Sequence, residues 1–251
     1  MKLIDTHTHP QLRQYNEDRE AVIKRAFDAG VSMICVGVDF ETSRQAVELA
    51  LQYEDIWSSV GLHPNDNLDE VYDEAPYLEL AKRPKVVAIG EIGLDYYRTT
   101  DEFKKEFQRE RFEKQLALAE QLQKPVIIHC RDAHEDMRKI LIAHPNIRGV
   151  VHSFTGTLED AKWYVEQGFY IGFNGIITFA RQYDEIVRDI PLDRILLETD
   201  APFLTPEQYR GKRNESSYLS FVAQKIAEIK SESFDIVSTT TTKNATSLFD
   251  I

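Results

Sequence analysis

Short apolar runs alternate with longer stretches whose apolar positions fall three and four apart. Met1-Lys2-Leu3-Ile4, 33–38, 56–61, 85–90, 125–129, 149–152, 169–173 and 194–198 have the length and composition of buried strands. Between them, helical stripes are predicted. The first holds Ala21-Val22-Ile23, Ala26 and Phe27 and stops at Gly30. The next holds Ala46, Val47, Ala50 and Leu51, with Thr42 or Ser43 as its cap. A third helix is expected over 71–81, with Pro76 at a break or in its first turn. The longest covers 103–123. It has Phe112, Leu116, Ala119 and Leu122 on one face and heavily charged positions elsewhere, which read as a solvated outer face. Met137, Ile140 and Leu141 mark another. Thr157 with Asp160 reads as the cap of a helix through Val165 closed by Gly168, and helices over 218–230 and 234–249 finish the chain.

Eight strands separated by helices within 251 residues predict an α/β fold, a (β/α)8 TIM barrel, as one domain over 1–251. An open doubly wound sheet has the same alternation and is the alternative. The barrel is preferred because the strand count closes and no G-x-G-x-x-G follows the first strand. No linker-like or low-complexity tract divides the chain.

The net charge of −12 excludes a protein that coats nucleic acid by bulk attraction, but not an enzyme that meets it at a local cationic site. Mean hydropathy is −0.40, and no apolar run approaches the ~18 residues needed to span a bilayer. The N-terminus shows no signal-peptide pattern. Cys35 and Cys130 lie in separate strands without C-x-x-C spacing and read as small core residues. A cytoplasmic monomer with no membrane partner is expected.

Candidate chemistry collects where the strands end. His7 and His9 follow the first strand, Asp39 the second, His63 the third and Glu91 the fourth. His129, His152, Asn174 and Asp200 follow the fifth to eighth. In a barrel these ends share one rim, where side chains serve catalysis. Five of the seven histidines are among them. Asp39 reads as a helix cap, and His134 and His144 as structural residues of the fifth helix. Four imidazoles (His7, His9, His129, His152) and two carboxylates (Glu91, Asp200) on one rim are poorly compatible without cations. Six ligands exceed one tetrahedral ion with an open position, and they divide naturally between two divalent ions with a bridging carboxylate.

The chain closely resembles the TatD family of metal-dependent hydrolases. The matching segments include Asp5-Thr6-His7-Thr8-His9, Gly61-Leu62-His63-Pro64, Gly90-Glu91-Ile92-Gly93-Leu94-Asp95-Tyr96 and Pro125-Val126-Ile127-Ile128-His129-Cys130-Arg131. They continue through His152-Ser153-Phe154-Thr155-Gly156, Glu198-Thr199-Asp200-Ala201-Pro202-Phe203-Leu204 and Tyr209-Arg210-Gly211-Lys212-Arg213-Asn214-Glu215. The resemblance implies a TIM barrel that hydrolyses phosphodiesters, a Mg²⁺-assisted deoxyribonuclease with 3′–5′ exonuclease character acting on DNA. It implies that His7, His9, Glu91 and Asp200 hold one ion and Glu91, His129 and His152 the other. His63 would contact substrate. Ser216 follows Glu215 where the family commonly has Pro, and Asn65 stands where a second His is frequent.

Asp200 and Glu91 are the catalytic candidates, Asp200 as the base that takes a proton from water. Arg131 and the Arg210-Gly211-Lys212-Arg213 loop are candidate phosphate contacts, with Glu215 beside them; the alternative for the loop is solvated surface charge. Phe154, Tyr96 and Phe203 fall near the rim, either as base-stacking surfaces or as core. Three functions compete: a nuclease acting on single-stranded DNA ends, a hydrolase of an amide or aminoacyl ester on the same centre, and a metal-dependent binder without catalysis. Imidazole-rich ligation suits Zn²⁺, Mn²⁺ or Ni²⁺, phosphodiester chemistry Mg²⁺.

Overall fold

The computed structural model describes residues 2–65 and 71–251. Eight parallel strands pair in sequence order: β1 (Leu3–Thr8), β2 (Val31–Val36), β3 (Ile56–Val60), β4 (Val86–Asp95), β5 (Val126–Arg131), β6 (Gly149–Val151), β7 (Tyr170–Phe173) and β8 (Ile195–Leu197). The ring meets itself just beyond β8. There Asp200 N donates to His7 O and His9 N to Ala201 O, each at 2.8 Å, and Thr8 bridges Ala201. A doubly wound sheet would place its first strand inside the strand order and leave two free edges, so the open alternative is overturned.

Helices alternate with the strands: α1 (Arg19–Asp28), α2 (Phe40–Gln52), α3 (Glu74–Ala81), α4 (Glu102–Leu122), α5 (His134–Ala143), α6 (Leu158–Glu166), α7 (Asp184–Asp189), α8 (Leu219–Lys230) and α9 (Phe234–Phe249). Strands covered by barrel interior on one side and helices on the other are buried at most positions, and β1 and β2 at every one. This is why they read as continuous apolar runs rather than alternations.

Several boundaries differ from the sequence expectation in ways that shape the site. β1 extends through Thr8, so His7 belongs to the strand itself. β4 continues to Asp95, past a register shift against β5 between Ile89 and Ile92, and Glu91 sits at that irregularity. The cap of α2 is Asp39, not Thr42 or Ser43. Its carboxylate accepts from Thr42 N at 2.7 Å while Thr42 Oγ1 accepts from Asp39 N, a reciprocal cap. Ser43 instead links α2 to the end of β3, accepting from Gly61 N at 3.2 Å. Pro76 lies in the first turn of α3, where its missing N–H costs nothing. The short α7, which buries only Ile186 and Val187, gave no sequence signal.

α4 departs most from its expected role. Gln108, Arg111 and Gln115 are buried rather than solvated. Gln115 accepts from Leu62 N (2.7 Å) and donates to Leu62 O (3.1 Å); Arg111 donates to His63 O (2.8 Å); Gln108 accepts from Asp95 N (2.9 Å). Polar side chains of the outer helix thus hold the rim backbone that carries His63 and Asp95.

Candidate metal centre

The strand ends bring His7, His9, His63, Glu91, His129, His152 and Asp200 together. Side chains two apart on an extended strand share a face, and the Nε2 atoms of His7 and His9 approach to 3.1 Å. Asp200 Oδ1 lies 3.4 Å from His9 Nε2 and 3.7 Å from His7 Nε2. Across from them, Glu91 Oε1 is 2.9 Å from His129 Nδ1 and 2.8 Å from His152 Nε2, and those two ring nitrogens are 3.4 Å apart. Glu91 Oε2 faces the other way, 3.3 Å from His7 Nε2. One carboxylate therefore presents an oxygen to each of two groups of ring nitrogens. His63 Nε2 adds to the second group, 3.5 Å from Glu91 Oε1.

The surrounding residues set which ring nitrogens offer lone pairs. Carbonyls only accept, so the 2.8 Å contact of His9 Nδ1 with Val36 O places a proton on Nδ1 and frees Nε2 in the neutral ring. His129 Nε2 likewise donates to Asp95 Oδ2 at 3.2 Å, which frees Nδ1 to face Glu91. His7 stacks on His152 with ring centroids 3.8 Å apart, and the Nδ1 atoms of both are buried without hydrogen-bond partners among the described residues. Glu198, fully buried, accepts from Ser153 N at 2.6 Å and stands 3.6 Å from His152 Nδ1. Asp5, also fully buried, receives Thr199 N (2.9 Å) and Thr199 Oγ1 (2.6 Å), fixing β1 to the segment that carries Asp200.

Charge within the cluster is tightly coupled. Burial alone would raise the Glu91 carboxyl, but His152, His63 and His7 and the hydrogen bond from His129 hold it well below its usual range. Burial likewise opposes ionisation of Asp200, and the bond from His9 with the charges of His7 and His152 overcomes it. His152 is the converse: burial disfavours its charged form, yet Glu91 and Glu198 raise it well above an ordinary imidazole. His9 and His129 are raised against burial too, by Asp200 in one case and by Asp95 and Glu91 in the other. His7 goes down, through burial and the neighbouring His152. Protons here stand in for cations between carboxylates and imidazoles. The donor set of buried imidazole nitrogens and carboxylate oxygens, with lone pairs converging on shared space, fits divalent metal.

The remaining expected residues lie further out. Arg131 ends β5, its guanidinium 3.8 Å above the Tyr97 ring. Lys212 is exposed, with Nζ 5.6 Å from the Tyr209 ring centroid. Arg213 and Glu215, expected among the substrate contacts, are engaged elsewhere. Arg213 pairs with Asp18 and donates to Gln14 O, both at 2.6 Å, and covers the Tyr15 ring. Glu215 is buried against Arg25, whose Nη2 donates to Oε2 at 2.6 Å and whose Nε reaches both oxygens at 3.1 Å. Together they clamp the loop after β8 to the first loop and α1. Ser216, without the rigidity of Pro, bonds Thr8 Oγ1 through its hydroxyl at 3.1 Å. Phe154 is buried core, Tyr96 donates to Asp136 Oδ2 at 2.9 Å, and Phe203 stands half-exposed at the mouth. His134 bonds Tyr164 OH at 3.0 Å, and Cys35 and Cys130 are buried and free.

The residues that sequence reasoning missed are Asp5, Asp95 and Glu198. Each is a buried carboxylate within two residues of Asp200 or a metal-type His, or four residues past Glu91, and that proximity was the available signal.

A parallel barrel with an imidazole–carboxylate cluster at the C-terminal rim defines a metal-dependent hydrolase of the TIM-barrel type. Within that class the chain belongs to the family described as TatD related DNase, whose model matches residues 4–250. It is similar to the uncharacterised metal-dependent hydrolase YabD of Bacillus subtilis (strain 168), with 44% identity over 99% of each chain. It is also similar to the 3′-5′ ssDNA/RNA exonuclease TatD of Escherichia coli (strain K12), with 39% identity over 95% of each. Among solved structures, YjjV, a TatD homologue from Escherichia coli K12, superposes with a TM-score of 0.91 at 32% identity, covering 99% of this chain and 98% of that one.

Proposed function

We propose that this chain is a two-metal nuclease, a single-domain monomer of the cytoplasm that removes nucleotides from single-stranded DNA in the 3′-to-5′ direction. One observation carries the reading: the two oxygens of Glu91 face two separate sets of ring nitrogens, as a carboxylate shared by two ions does. His7, His9 and Asp200 with Glu91 would hold one ion, and Glu91, His129 and His152 the other. Bound divalent ions supply the Lewis acidity that makes water nucleophilic at neutral pH and offset phosphate charge. The relatives named as 3′-5′ ssDNA/RNA exonucleases support the substrate and polarity. Two free buried cysteines suit a reducing compartment.

The chain's own groups divide the work. Asp200 is the more accessible acid of the cluster, its side chain 15% exposed against 6% for Glu91, and it is held ionised. It accepts the proton that attacking water gives up. Glu91 stays buried and orients the two imidazole groups. His63 and Arg131 lie on the β3–β5 side, where they donate to phosphate oxygens.

Mg²⁺-, Mn²⁺- and Zn²⁺-loaded protein tests the proposal on a 5′-labelled single strand, on its 3′-blocked counterpart and on an aminoacyl ester. Stepwise shortening from the free 3′ end is expected. Cleavage of the ester with no action on either strand would replace the nuclease reading with the carbonyl one, and no turnover of any substrate would leave a binder.

A further inference from the structure

Large aromatic rings face solvent at the mouth on opposite sides of the metal cluster. Tyr97, just past β4, is 60% exposed. Phe203, three residues past Asp200, is 48% exposed, with its ring 6.4 Å from that of His9. Phe179, after β7, is 36% exposed. In the closed order β1 to β8, the strands before Tyr97 and Phe203 are four apart, so these residues stand across the mouth from one another. Two of the rings are backed by guanidinium groups. Arg131 lies 3.8 Å from the centre of Tyr97, and Arg210 lies 4.1 Å from the centre of Phe179. Arginine stacked on one face stiffens an exposed ring, leaves the other face open and keeps its outer N–H donors for an anion.

We infer that Tyr97–Arg131 on one wall, and Phe203 with Phe179–Arg210 on the other, are base-stacking platforms that hold an unpaired nucleic-acid strand across the metal cluster. The inference rests on the nuclease reading and adds the means by which the strand is held. A net charge of −12 repels a polyanion at a distance, so affinity must come from close contacts. Aromatic faces next to arginines supply these without reading sequence, since every base has a π-face. A duplex keeps its bases stacked on each other and offers these rings none. Rings on both walls therefore select strands whose bases are free.

The test is fluorescence anisotropy with a phosphorothioate-linked oligothymidine single strand, a blunt duplex of equal length and a single strand carrying abasic residues. Mn²⁺-loaded wild type is compared with Tyr97→Ala, Phe179→Ala and Phe203→Ala. Phe103→Ala, which removes an 82% exposed ring away from the strand ends, at the start of α4, is the surface control. Each platform variant should weaken single-strand binding by about 5- to 100-fold, with a smaller loss on the abasic strand, while Phe103→Ala binds like wild type. Tyr97→Phe, which keeps the ring, should restore affinity and guards against misfolding of the alanine variant. Platform variants that bind like wild type, or lose equally on the abasic strand, would overturn the inference. Turnover of bis(4-nitrophenyl) phosphate separates the two failures. If wild type cleaves it while the platforms prove irrelevant, only this inference falls; if wild type cleaves no phosphodiester, the nuclease reading falls with it.

Discussion

Asp95 Oδ2 accepts from His129 Nε2 at 3.2 Å, and that bond decides which nitrogen of His129 meets Glu91. Without it, the ring has no reason to keep its proton on Nε2. Asp95→Ala should therefore lower affinity for the second ion by about 10- to 100-fold while the first is retained. Calorimetric Mn²⁺ titration should show one site weakened and one preserved. Two unchanged sites would show that packing alone orients His129.

In the proposed mechanism Asp200→Asn keeps an oxygen donor but loses the proton acceptor. Turnover on a single strand at saturating metal should fall by about 10²- to 10⁴-fold, with the melting temperature of the metal-loaded protein close to wild type. Near-normal turnover would move the role of base to another group.

The pKa shifts fix the sign of a pH effect. His9, His129 and His152 are raised in the metal-free fold, so their pairing with carboxylates stabilises fully below about pH 6.5, the unfolded value, and is lost as pH rises through the raised values. Glu91 and Asp200 are depressed, and their contribution is lost only in acid, below the ordinary carboxylate range. Metal replaces the imidazole protons, so its binding strengthens as pH rises. Differential scanning calorimetry of chelator-treated and Mn²⁺-loaded protein should show a gap in melting temperature that widens from pH 6.5 to about pH 8.5. A gap that narrows would contradict the assignment of protons to these rings.

Gln115 satisfies both backbone groups of Leu62 from the buried side of α4. Gln115→Leu leaves both unpaired, which should cost about 2–4 kcal/mol and lower the melting temperature by roughly 5–15 °C. Thermal unfolding checks the stability. Because Leu62 precedes His63, a rise in KM should accompany the loss.

Glu215→Ala should act on stability more than on turnover, since its carboxylate is spent on Arg25. About 1–3 kcal/mol is expected for the lost charge-assisted bonds, read by denaturant unfolding. A KM that rises with stability unchanged would return Glu215 to the substrate path.

How much of this was visible in the chain depends on where each residue gets its partner. The eight strands were legible because burial on both faces forces apolar runs, and the clustered rim residues because they follow those runs directly. Asp39 was readable as a cap, since its partner Thr42 is three residues away. The functions of Gln108, Arg111 and Gln115 were not readable: they face backbone groups 13 to 53 residues distant, and the spacing that marks a helix face does not tell a buried polar contact from a solvated one. Arg213 and Glu215 looked like a basic loop with an acid beside it. Only folding reveals Asp18 and Arg25, some 190 residues away, as their partners. Asp5 and Glu198 were hidden for a similar reason, because their significance lies in the strand each one faces.

The seam of the barrel carries a consequence for the order of events in synthesis. Asp200 N meets His7 O, and Asp5 meets Thr199, so the first and last strands join at residues proposed as metal ligands. His7 and Asp200, proposed to share one ion site, approach to 3.7 Å, and a nascent chain that has not yet reached Asp200 holds only part of that set. His129, His152 and Glu91 can gather earlier, but Asp200, the proposed proton acceptor, follows the final strand. On the proposed roles, a chain short of Asp200 lacks its proton acceptor however much of its barrel has formed, and hydrolytic competence is expected only once the ring shuts.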